Sequence, residues 1–235
     1  MSTFFVSDKD SVYSSLTVPG YAVFIGVIVL ALLVACFFTN TQKKTKFSTR
    51  QLVVSGMAVA LAFVTSNFKI IHLPQGGSVT LFSMFFICFV GYLYGLRSGL
   101  MAGVAYGILQ MITDPYVISV PQLFIDYILA FGALGLAGIV SGKKYGMVSG
   151  YVVGILGRLI FAVISGVIFF GSYAPKGQNV WIYSLSYNGI YILAEGAITV
   201  AVLAVPSVRK GLANVRILLN ESDAKCIEAQ KVSAH

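Results

Sequence analysis

Seven runs of about twenty mostly apolar residues, at roughly 20–39, 51–70, 79–96, 98–113, 121–140, 146–171 and 183–206, decide what this chain can become. A helix needs about 20 such residues to cross the hydrocarbon core of a bilayer. The runs are continuous rather than alternating and far exceed a barrel strand, so strands are not expected. The reading is an all-α membrane protein. Only 10% of the residues are charged, against about 25% in a soluble domain, so no soluble domain of appreciable size is expected. The first run follows Asp8, Lys9 and Asp10 instead of a basic stretch, and it is long. It therefore reads as a retained helix and not a cleaved signal.

The basic residues give the orientation. One set of connections holds Lys43, Lys44, Lys46 and Arg50, then Arg97, then Lys143 and Lys144, then Arg209, Lys210 and Arg216. The opposite set holds only Lys9, Lys69 and Lys176. Cytoplasmic loops carry the excess of Lys and Arg, which puts the N-terminus outside and the C-terminus in the cytoplasm. The net charge of +8 follows from the same bias; the basic residues form no single face of the kind that binds nucleic acid. The first run is set apart by the linker TQKKTK, so residues 1–47 read as an added transmembrane helix and basic linker. Residues 48–210 then form a six-helix core, and 211–235 a short cytoplasmic tail of one or two amphipathic turns.

Glycine recurs every fourth residue at 95, 99, 103 and 107, and again at 142, 146, 150 and 154. Such ridges let helix backbones approach closely; internal packing is the first reading and a docking surface the second. Ala58 and Ala62 form a further small-residue pair.

Ionisable groups inside spans are costly and mark function by default. Three are expected here: Asp126, Arg158 and Glu195. Counted from the outer ends of their spans, Arg158 and Glu195 reach similar depth, and the simplest expectation is that they pair. Asp126 lies nearer the outer end with no cation at its depth, which leaves room for a cationic ligand. Tyr127, Phe170, Trp181, Tyr183, Tyr187 and Asn188 fall around the same level. Aromatic faces attract cations and an amide supplies donors and an acceptor, a combination suited to a flat cationic heteroaromatic molecule. For any single aromatic the membrane-interface belt is the competing reading.

Enzyme signatures are missing: there is no phosphate loop, no HExxH and no GxSxG. His72 and His235 are the only histidines, and Cys36, Cys88 and Cys226 show no CxxC spacing. No metal, cofactor or disulfide framework is expected.

Several stretches carry a resemblance to a known family: AVALA (58–62), PQGGS (74–78), GLRSGLMAGVAYGILQMIT (95–113), QLFIDYILAF (122–131), GLAG (135–138), SGVIFF (165–170), GSYAPKG (171–177) and YSLSYNG (183–189). In order and spacing, roughly residues 48–210 resemble the thiamine-specific S components of energy-coupling factor transporters. The resemblance implies a six-helix substrate-binding subunit, here with one additional N-terminal helix. Such a subunit loads thiamine, or a related heteroaromatic cation, from outside and delivers it inward with a T component and two cytoplasmic ATPases. It implies substrate-binding roles for Asp126, Tyr127, Phe170, Tyr183 and Asn188, and docking to the T component through Ala58 and Ala62. Ala162 stands where the family carries His, and Phe170 where it carries a stacking Trp. The alternatives are an S component for another heteroaromatic vitamin or thiamine precursor, a stand-alone proton-coupled carrier using Asp126, Arg158 and Glu195, and an intramembrane enzyme built on His72.

Overall fold

The computed structural model describes residues 48–74, 76–143 and 145–232, with side chains described through 219. The expected span at 20–39 and the linker after it, the whole of 1–47, lie outside the described residues, as do Gln75, Lys144 and His235. Helices follow at the other six apolar runs: α1 Thr49–Ser66, α2 Ser83–Tyr94, α3 Leu96–Thr113, α4 Val120–Val140, α5 Gly146–Phe169 and α6 Val180–Ala204. The expected spans are thus recovered to within a few residues at most ends. Helix α2 is the shortest, 12 residues, because its chain enters the bundle through an irregular segment instead of a full first turn at the surface.

Local signals explain several boundaries. Ser48 caps α1 in a capping box, its hydroxyl accepting from Gln51 N at 3.1 Å while the Gln51 side chain accepts from Ser48 N at 3.4 Å. Gly95 separates α2 from α3 by a single residue with φ 85°, a left-handed conformation open to glycine at little cost. Ser119 caps α4, and Pro121 sits in its first turn.

The core is formed mainly by α2, α3, α4 and α5, with Met84, Ile87, Leu134 and Tyr151 almost fully enclosed. The glycine ridges lie inside this packing. A Cβ at Gly99 would come within 2.8 Å of the Gly135 carbonyl oxygen, and one at Gly150 within 2.7 Å of the Ala137 carbonyl oxygen. Both ridges therefore serve backbone-to-backbone contact, the first of the two readings; Gly142 alone in the second ridge meets no atom within 4 Å. By contrast α1 is peripheral, with only 17% of its span buried and Leu52, Val53, Met57, Leu61 and Val64 exposed.

Two features differ from expectation. A two-stranded antiparallel hairpin, β1 Lys69–His72 and β2 Ser78–Thr80, connects α1 to α2 with Lys69 opposite Thr80 and His72 opposite Ser78. The expectation of no strands came from the length of membrane-spanning runs and does not reach a short connection between spans. The tail is also longer than one or two turns: α7 runs Pro206–Val232. Its inner face, Val208, Leu212 and Leu219, packs on the core. Arg216 of α7 donates to the Ser141 carbonyl oxygen and lies 4.6 Å from the Tyr92 ring centre, and Arg209 lies over Tyr145. The basic connections thereby gather at one end of the bundle.

Candidate functional site

At the opposite end the bundle encloses a cavity of about 130 Å³. The hairpin contributes Gly76, Gly77, Ser78 and Thr80, α4 contributes Gln122, Asp126 and Tyr127, α5 contributes Arg158, Ala162 and Gly166 with Phe170 just after its end, and α6 contributes Tyr183, Tyr187, Asn188 and Tyr191. All five residues singled out from the sequence as ligand contacts, Asp126, Tyr127, Phe170, Tyr183 and Asn188, line this one space.

Asp126 and Tyr127 sit in a π-helical stretch, Phe124–Leu129, within α4. Single π turns inside α-helices are rare and recur at functional sites. The widened turn lets two consecutive side chains face the same cavity. Asp126 is oriented by Gln122, whose amide nitrogen donates to Asp126 Oδ2 at 2.5 Å and to the Tyr116 carbonyl at 3.0 Å, while its oxygen accepts from Ile118 N at 3.0 Å. Among the described residues Asp126 makes no ion pair; it shares the cavity with Arg158, a cation the sequence placed at another depth. Tyr127 ties the same connection from the other side: its hydroxyl donates to the Asp114 carbonyl at 3.1 Å and accepts from Tyr116 N at 2.8 Å. Gln122 and Tyr116 were not anticipated from sequence. The i, i+4 spacing of Gln122 and Asp126 was the available signal.

Aromatic rings form the walls. Phe170 stacks on Tyr116 with ring centres 5.8 Å apart, and Tyr173 lies 6.1 Å from Phe170. The Tyr116 hydroxyl, in the connection between α3 and α4, is pushed up to about 12 by its hydrogen bond to Tyr173 and by partial burial, so it remains a protonated phenol. Across the cavity Tyr183, Tyr187 and Tyr191 descend α6 at four-residue intervals, with successive rings 6.2 and 6.1 Å apart. Asn188 is more committed to the protein than its sequence position implied. Its amide nitrogen donates to the carbonyls of Ala162 at 3.2 Å and Ser184 at 3.0 Å, and its oxygen accepts from Tyr191 at 2.8 Å. It clamps α6 to α5, and its oxygen keeps one lone pair for a ligand.

The expected pairing of Arg158 with Glu195 is not found. Among the described residues the ion pair formed is Lys69 with Asp114, which joins the hairpin to the end of α3. Arg158 faces the cavity with its guanidinium 4.2 Å from the centre of the Phe131 ring. Glu195 turns instead to the start of α2 and accepts from Thr80 Oγ1 at 2.6 Å, Met84 N at 3.1 Å, Ser83 Oγ at 3.2 Å and Thr80 N at 3.3 Å. Their equal expected depth suggested one level, but the facing of each helix gives them different partners.

The small-residue pair of α1 is likewise corrected. Ala58 and Ala62 are 6% and 0% exposed and pack into the chain's own core, so their side chains offer no surface to a partner. The exposed small residues of α1 are Gly56 and Ala60. Trp181 is half exposed and stands outside the cavity, and His72 is exposed on the hairpin. No group of three or more metal-ligating side chains occurs among the described residues.

Comparisons with known proteins agree on one family. Residues 52–213 match the family described as thiamine transporter protein (Thia_YuaJ). Thiamine transporter ThiT of Bacillus subtilis is 37% identical over 167 residues, covering 65% of this chain and 85% of that protein. Thiamine transporter ThiT of Lacticaseibacillus paracasei is 30% identical over 172 residues, covering 65% of this chain and 82% of that protein. A solved structure of ThiT from Listeria monocytogenes superposes with a TM-score of 0.58 at 21% identity, covering 74% of this chain and 95% of that one; this likeness speaks for the fold.

Proposed function

The chain belongs to the thiamine transporter protein family (Thia_YuaJ), and from that premise we propose that its cavity is the capture site for thiamine in a multi-pass membrane S component. The observation that carries the site assignment is a carboxylate with no ion-pair partner, Asp126, set among aromatic rings in one cavity. The thiazolium carries a fixed positive charge. A carboxylate beside it in a poorly solvated site gives a charge-assisted contact stronger than a neutral one, and flanking rings add cation–π attraction. In this reading Asp126 counters the thiazolium, Phe170 and Tyr127 pack on the ligand rings, and Tyr183 and the Asn188 oxygen meet the pyrimidine.

The cavity opens at the end away from Arg209 and Arg216, so the positive-inside rule sets its mouth outside the cell and α7 in the cytoplasm. Delivery inward depends on a T component and two cytoplasmic ATPases, as the family resemblance implies. The partner surface is the exposed face of α1, where Gly56 and Ala60 allow a helix to approach closely. A proton relay through Asp126, Arg158 and Glu195 is disfavoured, because Glu195 is already held by four protein donors.

The test is calorimetric titration of thiamine into the purified, detergent-solubilised chain, without ATP or partner subunits. Saturable submicromolar binding is expected. Competition by isolated pyrimidine and thiazole fragments should be weak against thiamine itself. Tighter binding of either fragment would instead assign the cavity to a precursor, in keeping with Ala162 and Phe170. Failure of all three to bind would remove the ligand assignment.

A further inference from the structure

Helix α2 begins inside the bundle with no cap of its own. The residue at its N-cap position, Phe82, is the one non-glycine residue with positive φ among those described (φ 61°), and its side chain makes no capping hydrogen bond. The first amides of a helix need acceptors, and one left unpaired in an apolar interior is costly. Here the acceptor comes from another helix. Glu195 of α6, 3% exposed, reaches Met84 N and Ser83 Oγ with one carboxylate oxygen and Thr80 N and Oγ1 with the other. Thr80 Oγ1 and Ser83 Oγ are themselves 2.6 Å apart. A negative charge at a helix N-terminus is further favoured by the helix dipole.

The consequence extends to the cavity. Thr80 and Ser83 line it, while Glu195 does not. The same α6 that carries Glu195 presents Tyr187 and Tyr191 to the hairpin: the Tyr187 hydroxyl accepts from Gly77 N at 3.4 Å, and a Cβ at Gly77 would press within 2.8 Å of the Tyr191 ring. We infer that Glu195 is a positioning residue of the binding site, locking the segment from Thr80 to Met84 onto α6 so that the hairpin wall and the tyrosine wall keep a fixed separation. It touches no ligand and acts through Thr80 and Ser83. Its role rests on the cavity being the thiamine site for the ligand readout only.

The carboxylate has four donors facing it, so Glu195→Gln replaces one acceptor oxygen by an NH₂ group that meets donors. In the full-length chain, hydrogen–deuterium exchange without ligand should rise across residues 78–84 in E195Q and stay unchanged in the cores of α4 and α5. Thiamine dissociation should accelerate at least about tenfold, the equivalent of ~1.4 kcal/mol, with association little changed. Thr80→Val deletes the shortest of the four bonds without altering the carboxylate, and should raise exchange over the same segment to a smaller extent. Unchanged exchange at 78–84 in E195Q overturns the inference, as does a uniform loss of protection with an unaltered dissociation rate in the folded protein. If E195Q does not fold, T80V decides: protection over 78–84 equal to the parent's overturns the inference, and local loss upholds it. Should the parent chain bind no thiamine, the ligand reading fails while the exchange experiment still settles the role of Glu195.

Discussion

Asp126→Asn lowers thiamine affinity at least about tenfold, ~1.4 kcal/mol, with little effect on folding. The substitution is nearly isosteric, and the Asn carbonyl can still accept the hydrogen bond that Gln122 donates to Asp126. The network that holds the connection before α4, with Gln122 bridging Ile118 and Tyr116, therefore survives. What is lost is one negative charge facing a cation where water screens poorly, a setting in which charge-assisted contacts outweigh neutral ones. Calorimetry on the parent and the variant measures the difference. A thiamine analogue with an uncharged ring in place of the thiazolium isolates its cause, since its affinity should change far less on the same substitution. Equal affinities of parent and D126N for thiamine would take the carboxylate out of the recognition scheme.

Gly107→Ala should be more damaging to the fold than any single change in the cavity. A Cβ at Gly107 would lie 1.8 Å from the Tyr127 carbonyl oxygen and 2.9 Å from its carbon. Both are backbone atoms, so no side chain can swing away. Overpacking of this kind costs about 1–3 kcal/mol and sometimes more, and here relief requires moving α3 away from the π turn that presents Asp126 and Tyr127. Thermal unfolding in detergent should show a drop of several degrees, and thiamine binding should weaken in parallel because the π turn is the element displaced. Gly142→Ala is the matched control: no atom lies within 4 Å of its added Cβ, and its melting temperature should be close to the parent's. Similar melting of G107A and the parent would mean that the helices are not held in this contact.

Some of this site was readable because a membrane restricts the possibilities. An ionisable residue inside an apolar run stands out against its surroundings, which is how Asp126, Arg158 and Glu195 were found. Tyr127, Phe170, Tyr183 and Asn188 followed from their level in the bundle and from the family resemblance, and one cavity gathers them. Gln122 and Tyr116 escaped notice because a neutral amide at a helix start and a tyrosine in a connection are ordinary in isolation. Only the hydrogen bonds they make give them a place in the site.

By itself the sequence determined the solvent and the number of elements in the core: continuous apolar runs can satisfy their backbone groups in a bilayer only as helices, and six runs became α1 to α6. It also gave each polar residue an expected depth along its helix, because a helix advances about 1.5 Å per residue. The tertiary structure decided the second coordinate, which way each residue faces around its helix. Arg158 and Glu195 share an expected level yet point to different partners, one to the cavity and the other to the start of α2. Ala58 and Ala62, to which the family resemblance gave the docking role, face inward, leaving Gly56 and Ala60 exposed. A membrane helix that is apolar nearly all the way round has no marked polar face to fix its rotation. Its azimuth comes instead from packing against neighbours, above all where glycine lets two backbones meet.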